Sequence, residues 1–308
     1  MKIVTVAGGG VLGSQIAFQA AYCGFHVTIW LRSEGSIQRA KPKLAALKPA
    51  YIKTIERMAA DPAFLARGIA GKEPFCKADC LARVDAAAAG IRLETDLAKA
   101  VEDADVVIES VAEGVEAKTA FYRALAPVLP KKALLLTNSS TLLPSQFAEE
   151  TGCPERFLAL HFANQIWINN MAEVMRHAAT AQESFDRAME FARQIRMIPI
   201  AVRKEKNGYL LNSILVPFLF SALDLVATGV GSVEDVDLAW TLATGAPLGP
   251  CRIMDQVGMT TVQNIVAMYV NIPDNIAPIH YKAIYRMVQK YIDEGKLGMT
   301  AGEGFYKY

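Results

Sequence analysis

The sequence predicts an α/β domain with a doubly wound, mostly parallel sheet, followed by an all-helical domain. A βαβ pattern opens the chain, and short apolar runs then alternate with amphipathic helices as far as residue 202. Beyond that point strand patterns give way to long apolar helices. The 308 residues are enough for two ordinary domains. We therefore expect domains at 1–203 and 204–308.

The first strand, helix and strand come within about thirty residues, the length typical of a βαβ unit. Residues 2–7 are apolar and β-branched, as in a strand, and glycines follow them. Residues 14–24 have apolar side chains at helical spacing and end at Gly24, and residues 26–31 form a second apolar run. The segment 37–90 is rich in Ala, Lys and Arg, and predicts helices interrupted by Pro49, by Pro62 and by the stretch GKEP at 71–74. An insertion this long between strands predicts a projecting helical hairpin.

The remaining elements of the first domain alternate. Strands are predicted at 105–111, 133–138, 156–162 and 197–202, with helices beginning near Thr95 and spanning 116–129 and 145–152. In the second domain, helices are predicted at 210–228, 233–244, 251–270 and 280–294.

Composition narrows the class of protein. The net charge is +1, so no global field favours nucleic acid or an acidic membrane. The apolar run 210–230 contains Asn212, Pro217 and Asp224, and a buried helix explains it better than a membrane span. The start of the chain lacks the pattern of a secretion signal.

Cysteine usage indicates reduced thiols and a cytoplasmic protein. The five cysteines are sparse and odd in number. Cys76 and Cys80 are four residues apart, but none of the four histidines is near them, so we expect no metal site there.

A glycine-rich turn follows the first strand. Gly8, Gly10 and Gly13 form G-x-G-x-x-G between a strand and a helix, which is the context of a dinucleotide-binding, Rossmann-like fold. Gly8 makes the tight turn, Gly10 admits a pyrophosphate, and Gly13 allows close packing. The helix N-terminus, including Val11 and Leu12, offers free N–H groups to the phosphates. The alternative is a glycine turn without a ligand.

The second strand ends without the acidic residue that usually binds the adenosine ribose. Leu31 stands there, followed by Arg32 and Ser33. A carboxylate at position 31 would accept hydrogen bonds from ribose hydroxyls and repel a 2′-phosphate, whereas Arg and Ser side chains can bind one. We therefore favour NADP(H) over NAD(H). The alternative is that Arg32 is a solvated charge at a strand end.

Polar side chains follow two later strands. Asn138 and Ser140 come after one, His161 and Asn164 end another, and Glu173 lies twelve residues beyond His161. In open parallel sheets, binding and catalytic sites lie at the carboxyl ends of the strands. A histidine suits proton transfer near neutral pH, and a carboxylate would orient its ring. Spacing alone gives a candidate pair, and a structural core histidine is the alternative.

Together these motifs resemble the L-3-hydroxyacyl-CoA dehydrogenase family over nearly the whole chain. The matching stretches are VAGGGVLGSQIA, ADVVIESVAEGVEAK, TNSSTL, RFLALHFAN, AEVM, NGYLLNSILVPF, TGAPLGPCRIMDQVG and GEGFYKY. The resemblance implies a Rossmann-like domain, a helical domain that forms a homodimer, and reversible NAD(P)-dependent oxidation of (S)-3-hydroxyacyl-CoA to 3-oxoacyl-CoA.

The resemblance also implies roles for single residues. His161 is expected as the catalytic base and Glu173 as its partner, while Ser140 and Asn212 are expected to contact the substrate oxygen. Asn138, Glu113 and Lys118 match residues near the cofactor. The helical hairpin offers basic side chains for CoA phosphates, and for each the alternative is a solvated helix face: Lys41, Lys43, Lys48, Lys53 and Arg57.

The chain departs from the family pattern at several places. His161-Phe162-Ala163-Asn164-Gln165 stands where His-Phe-Phe-Asn-Pro is common, Asn207 stands before the glycine of a "PGF" segment, and Met299 replaces a lysine. These changes concern acyl-chain specificity and cofactor choice. A dehydrogenase of a 3-hydroxy acid without CoA, of the carnitine, gulonate or diketo ester type, is therefore an alternative. A non-catalytic nucleotide-binding protein is a further one.

Overall fold

Eight strands form one sheet in the computed structural model, which describes residues 1–71 and 73–308. The strands are β1 (Ile3–Ala7), β2 (His26–Trp30), β3 (Arg92–Glu94), β4 (Val106–Glu109), β5 (Leu134–Thr137), β6 (Phe157–Phe162), β7 (Met171–Met175) and β8 (Ile198–Val202). Their order in the sheet is β3-β2-β1-β4-β5-β6-β7-β8, and β6 with β7 is the antiparallel pair. The predicted doubly wound, mostly parallel sheet is confirmed.

Alternate residues of the strands pack against helices on opposite faces of the sheet. Val4 and Val6 of β1 belong to one apolar cluster, whereas Ala7 belongs to the other. This period of two is that of a strand covered on both faces. The helices of this unit are α1 (Val11–Tyr22), α2 (Glu34–Ala60), α3 (Arg67–Ala70), α4 (Lys77–Gly90), α5 (Leu97–Val101), α6 (Val115–Leu125) and α7 (Gln182–Gln194).

The segment predicted as a helical hairpin at 37–90 consists of α2, α3 and α4. Helix α2 begins at Glu34, where the Ser33 hydroxyl accepts a hydrogen bond from the Ser36 amide. It runs through Pro42 and Pro49, so the interruption predicted at Pro49 was wrong. Both prolines are exposed, and water can therefore satisfy the carbonyl groups that lose their helical partners.

Two compact units divide after Leu210, whereas the sequence placed the boundary at 203. The intervening residues pack on the first unit: Lys206 donates its amide to the Met175 sulfur, and Leu210 donates its amide to Glu173. The region predicted as helix at 145–152 contains two short 3-10 turns, Pro144–Gln146 and Glu149–Thr151.

The second unit, Leu211–Tyr308, is helical as predicted. Its helices are α8 (Leu211–Ala227), α9 (Val233–Thr244), α10 (Pro250–Val257), α11 (Met259–Ala267) and α12 (Tyr281–Asp293). The single helix predicted at 251–270 is two helices, because Gly258 adopts φ +90° and ends the first of them. Within the residues that the structure describes, none of the helices is both long and apolar enough to cross a membrane.

Candidate active site

His161 and Glu173 face each other across the antiparallel pair of strands. They are direct partners in the register of β6 and β7, and His161 Nδ1 lies 3.0 Å from Glu173 Oε2. Cross-strand partners project from the same face of a sheet, which is why residues twelve apart in sequence meet here. Both side chains are buried, with Glu173 0% exposed. The structure therefore brings the predicted pair together.

The tautomer of His161 follows from this contact. Opposite an ionised Glu173, which can only accept hydrogen bonds, Nδ1 is the donor. In the neutral imidazole with its hydrogen on Nδ1, the second ring nitrogen, Nε2, carries the lone pair that a proton acceptor needs.

Tyr209 and Leu210 also contact this pair, and neither was predicted from the sequence. The Tyr209 ring stacks on the His161 ring, with centroids 4.6 Å apart and planes inclined by 20°. The Leu210 amide donates to Glu173 Oε1 at 2.8 Å. Nothing in their residue types signals these contacts, because they depend on how the chain leaves β8.

Asn138 follows β5 and contacts the ends of the two strands that flank it, β4 and β6. Its side-chain oxygen accepts a hydrogen bond from the Phe162 amide at 3.3 Å, and its amide nitrogen lies 3.5 Å from the Ser110 hydroxyl. Asn138 follows β5, Phe162 ends β6 and Ser110 follows β4. The side chain thus lies at the carboxyl edge of the parallel strands, as predicted.

Glu113 holds the loop that carries Ser140. Its Oε1 accepts hydrogen bonds from the Ser139 hydroxyl at 2.5 Å, from the Ser140 amide at 3.1 Å and from the Thr141 amide at 3.0 Å. Burial acts to raise the pKa of Glu113, but the Ser139 and Thr141 hydrogen bonds and the Lys118 charge outweigh it and lower the pKa to about 2. Glu113 is therefore an anion that fixes the backbone around Ser140.

Lys118 is buried between two carboxylates. Its Nζ lies 2.6 Å from Glu109 Oε1 and 3.2 Å from Glu113 Oε2, and its side chain is 1% exposed. Glu109 was missed by sequence reasoning, although it ends the apolar run of β4. It also accepts hydrogen bonds from the Tyr122 and Thr137 hydroxyls, so that the buried charges are paired and hydrogen-bonded.

The glycine turn forms a cradle at the start of α1. Gly8 has φ +122°, and a Cβ there would meet the Ser110 carbonyl oxygen at 2.3 Å. A Cβ at Gly13 would meet the Gly8 carbonyl oxygen at 2.3 Å, whereas at Gly10 it would meet no atom of the described residues within 4 Å. Helix α1 has no acidic residue in its first turn and no side-chain cap. Open space at Gly10 beside uncapped amides, including those of Val11 and Leu12, fits a pyrophosphate.

Hydroxyl and guanidinium groups follow the end of β2, which pairs with β1, the strand that precedes the glycine turn. Leu31 is buried next to Gly9, while Arg32 and Ser33 are exposed. The Ser33 and Ser36 hydroxyl oxygens lie 3.1 Å apart, and Arg39 donates to Ser36 Oγ at 2.9 Å. Ser36 and Arg39 were not predicted, because only the first turn of α2 brings them next to Ser33.

The basic residues of the hairpin differ in their surroundings. Lys48 forms an ion pair with Asp85 at 2.7 Å, and the Arg57 guanidinium lies 3.8 Å from the centre of the Phe64 ring. Lys41, Lys43 and Lys53 are exposed on α2.

Asn212 is the second residue of α8, in the second unit, and is partly buried. Its predicted contact with the substrate stays a prediction. In the described ranges, 1–71 and 73–308, histidine, cysteine and acidic side chains form no cluster suited to a metal ion.

Two protein-family domains match the chain in order. Residues 3–206 match the NAD-binding domain of 3-hydroxyacyl-CoA dehydrogenase, and residues 208–308 match its C-terminal domain. The mitochondrial hydroxyacyl-coenzyme A dehydrogenase of Homo sapiens is 30% identical over 310 residues, covering 100% of this chain and 91% of its own length. A 3-hydroxybutyryl-CoA dehydrogenase of Bradyrhizobium diazoefficiens is 30% identical, with 100% and 96% covered.

Among solved structures, the chain is similar to a diketoreductase described by its "substrate-directed dual catalysis of dicarbonyl compounds". The two chains are 41% identical and superpose with a TM-score of 0.85, covering 100% of this chain and 99% of the other.

Proposed function

The chain belongs to the 3-hydroxyacyl-CoA dehydrogenase family, a family of oxidoreductases that act on CH–OH groups, and we propose that it oxidises (S)-3-hydroxyacyl-CoA reversibly to 3-oxoacyl-CoA. The observation that carries this proposal is the buried His161–Glu173 pair. The glycine cradle after β1 lies at the same carboxyl edge of the parallel strands as His161. A proton acceptor and a dinucleotide site on one edge suit hydride transfer from an alcohol.

A nicotinamide cofactor held at the glycine cradle would supply hydride chemistry, as acceptor on oxidation and as donor on reduction. His161 Nε2 takes the proton of the 3-hydroxyl group on oxidation and returns it on reduction. Glu173, held by the Leu210 amide, keeps Nδ1 protonated and stabilises the imidazolium that forms. Burial strengthens this electrostatic effect, because water screens it less.

We assign supporting roles to three further residues. Ser140 lies on the loop that Glu113 fixes, and its hydroxyl is proposed to donate to the substrate oxygen. Asn138, tied to Ser110 and Phe162, is proposed to border the nicotinamide. Asn212 is proposed as a second contact to the substrate oxygen.

The matched NAD-binding domain supports NAD(H) as the cofactor. Between the two nicotinamide dinucleotides, we propose that this chain prefers NADP(H). Leu31 carries no charge to repel a 2′-phosphate, and Arg32, Ser33, Ser36 and Arg39 present donors around the N-terminus of α2. Glu34, in the first turn of α2, carries a negative charge that would repel a 2′-phosphate and so opposes this preference. A charge-assisted hydrogen bond contributes about 1.5–3 kcal/mol, which is roughly ten- to a hundredfold in affinity.

The test is titration of both reduced cofactors against wild type, Arg32→Ala and Leu31→Asp. We expect NADPH to bind at least about tenfold more tightly than NADH. Arg32→Ala should weaken NADPH alone, and Leu31→Asp should weaken NADPH and strengthen NADH. A wild type that prefers NADH would overturn the preference and leave Arg32 as a solvated charge.

A second candidate substrate is a dicarbonyl compound without CoA. It is favoured by the 41% identity to the diketoreductase over the full chain. It is also favoured by the ion pair between Lys48 and Asp85, which engages one lysine predicted for CoA phosphates. Lys53 remains exposed for that role.

The deciding experiment compares kcat/KM for acetoacetyl-CoA, free acetoacetate and a short 3,5-diketo ester with NADPH and NADH. The CoA proposal requires acetoacetyl-CoA to be reduced far more efficiently than acetoacetate. The CoA proposal also requires the KM for acetoacetyl-CoA to rise with salt, because exposed charges are screened over about 8–10 Å. The same KM should rise in Lys53→Ala, which removes one of the proposed phosphate contacts. A preference for the diketo ester, insensitive to salt, would establish the second candidate. No turnover of any of them would favour a non-catalytic nucleotide-binding protein.

For the assembled enzyme we propose a cytoplasmic homodimer that pairs through the second unit. That unit leaves large apolar side chains exposed, among them Ile214, Val230, Leu242 and Met268. Exposed apolar surface of this kind favours association. Sedimentation at micromolar concentration tests this proposal, and a monomer would reject it.

A further inference from the structure

We propose that Tyr209 is a positioning residue that fixes the His161 ring and the Ser140 loop relative to each other. The proposal rests on the function proposed above, because it concerns the same site. Three features support it: the ring stack on His161, a hydrogen bond from the Tyr209 hydroxyl to the Ser139 carbonyl, and an unusual backbone conformation at Tyr209.

The first contact of Tyr209 restrains the imidazole. The two rings are nearly parallel, and the Tyr209 side chain is 1% exposed, so the stack lies in the protein interior. Glu173 holds the edge of the His161 ring at Nδ1. The Tyr209 ring, packed on one imidazole face, restrains the tilt of that ring and so helps to fix the direction of Nε2.

The second contact restrains the loop. The Tyr209 hydroxyl donates to the Ser139 carbonyl oxygen at 2.7 Å, and the Asn207 side-chain amide donates to the Thr141 carbonyl oxygen at 2.7 Å. The two carbonyl groups on either side of Ser140 are thus held by one short segment. Glu113 holds the Ser140 and Thr141 amides from the other side. Burial and the nearby carboxylates of Glu113 and Glu173 raise the pKa of Tyr209, so its hydroxyl stays a donor.

The backbone explains how one side chain reaches both groups. Gly208 has φ +78° and Tyr209 has φ +53°, so two consecutive residues lie in the left-handed region. A tyrosine adopts this conformation at a cost in free energy, and such strain persists where surrounding contacts impose it. The turn directs the Tyr209 ring back onto β6, while the next amide, that of Leu210, reaches Glu173.

The experiment separates the two contacts with two variants. Tyr209→Phe keeps the ring and removes the hydroxyl, so kcat should stay within about twofold while KM for acetoacetyl-CoA rises at least about fivefold. Tyr209→Leu removes both contacts, so kcat should also fall at least about tenfold. Cofactor dissociation constants should be unchanged in both. The chain has only four histidines, so the His161 ring signal can be assigned by NMR. Its ring-current shift should persist in Tyr209→Phe and vanish in Tyr209→Leu.

Tyr51→Phe is the matched control. Tyr51 is fully buried and its hydroxyl donates to Gln19 Oε1 at 2.6 Å, so this variant also loses one buried hydrogen bond. It should lower the melting temperature as much as Tyr209→Phe does and leave kcat and KM unchanged. Wild-type KM in Tyr209→Phe would overturn the proposal even if Tyr209→Leu does not fold. If His161→Ala retained full activity, the proposed function itself would fail, which is a distinguishable outcome.

Discussion

Two glycines of the cradle should respond differently to the same added methyl group. Gly10→Ala adds a Cβ that meets none of the atoms described in the structure within 4 Å, and its φ of −68° and ψ of −177° can be adopted by any residue. Gly13→Ala adds a Cβ at 2.3 Å from the Gly8 carbonyl oxygen. The first change reaches only space that a ligand would fill, whereas the second disturbs the packing of α1 against the turn.

The magnitudes follow from these distances. At Gly10, alanine lowers the entropy of the unfolded chain, which favours folding by about 0.4–1 kcal/mol, and it is a poorer N-cap by a similar amount. The free energy of unfolding should therefore stay within about 1 kcal/mol of wild type. At Gly13 a backbone atom must shift, and overpacking of this kind costs about 1–3 kcal/mol. Cofactor affinity should fall at least about tenfold, or about 1.4 kcal/mol, in Gly10→Ala.

Denaturant unfolding and a fluorescence titration with reduced cofactor measure the two quantities on the same samples. We expect Gly10→Ala to be stable and to bind poorly, and Gly13→Ala to be destabilised. Wild-type cofactor affinity in Gly10→Ala would refute the reasoning, because the open space at Gly10 would then not receive the pyrophosphate.

Two further predictions concern the active site. His161→Ala should lower kcat by about a hundred- to ten-thousandfold with cofactor affinity retained, and Glu173→Gln should lower it less; near-wild-type turnover of His161→Ala would contradict the assignment. Glu113 has its pKa lowered from 4.5 to about 2, as hydrogen bonds from Ser139 and Thr141 and the Lys118 charge outweigh burial. Its stabilisation is therefore present above about pH 4.5 and is lost as the pH falls toward 2. Unfolding measured across this window should depend less on pH in Glu113→Gln, and an unchanged profile would count against a paired Glu113 carboxylate.

Hydrophobic periodicity was enough to predict six strands of the sheet and most helices, because each element buries one face or both. It failed where backbone conformation decides the outcome. Helix α2 passes through Pro49 because the proline faces water, and the helix predicted at 251–270 divides at Gly258, which adopts φ +90°. Strands β3 and β7 were not predicted. Strand β3 has only three residues, and the five residues of β7 are recognisable as a strand only from their pairing with β6 and β8.

The active site shows the same division between what residue type signals and what only the fold determines. His161 and Glu173 were predictable as a candidate pair because a strand-end histidine and a nearby acid are recognisable, but their direct contact depends on the antiparallel register of β6 and β7. Tyr209 carries no such signal, since a tyrosine beside an apolar helix predicts packing. Only the two left-handed residues at 208 and 209 turn its ring onto His161 and its hydroxyl toward Ser139. A variant that keeps the tyrosine but replaces Gly208 with alanine should therefore weaken the same contacts, because the φ of +78° at that position is strained for any residue with a Cβ.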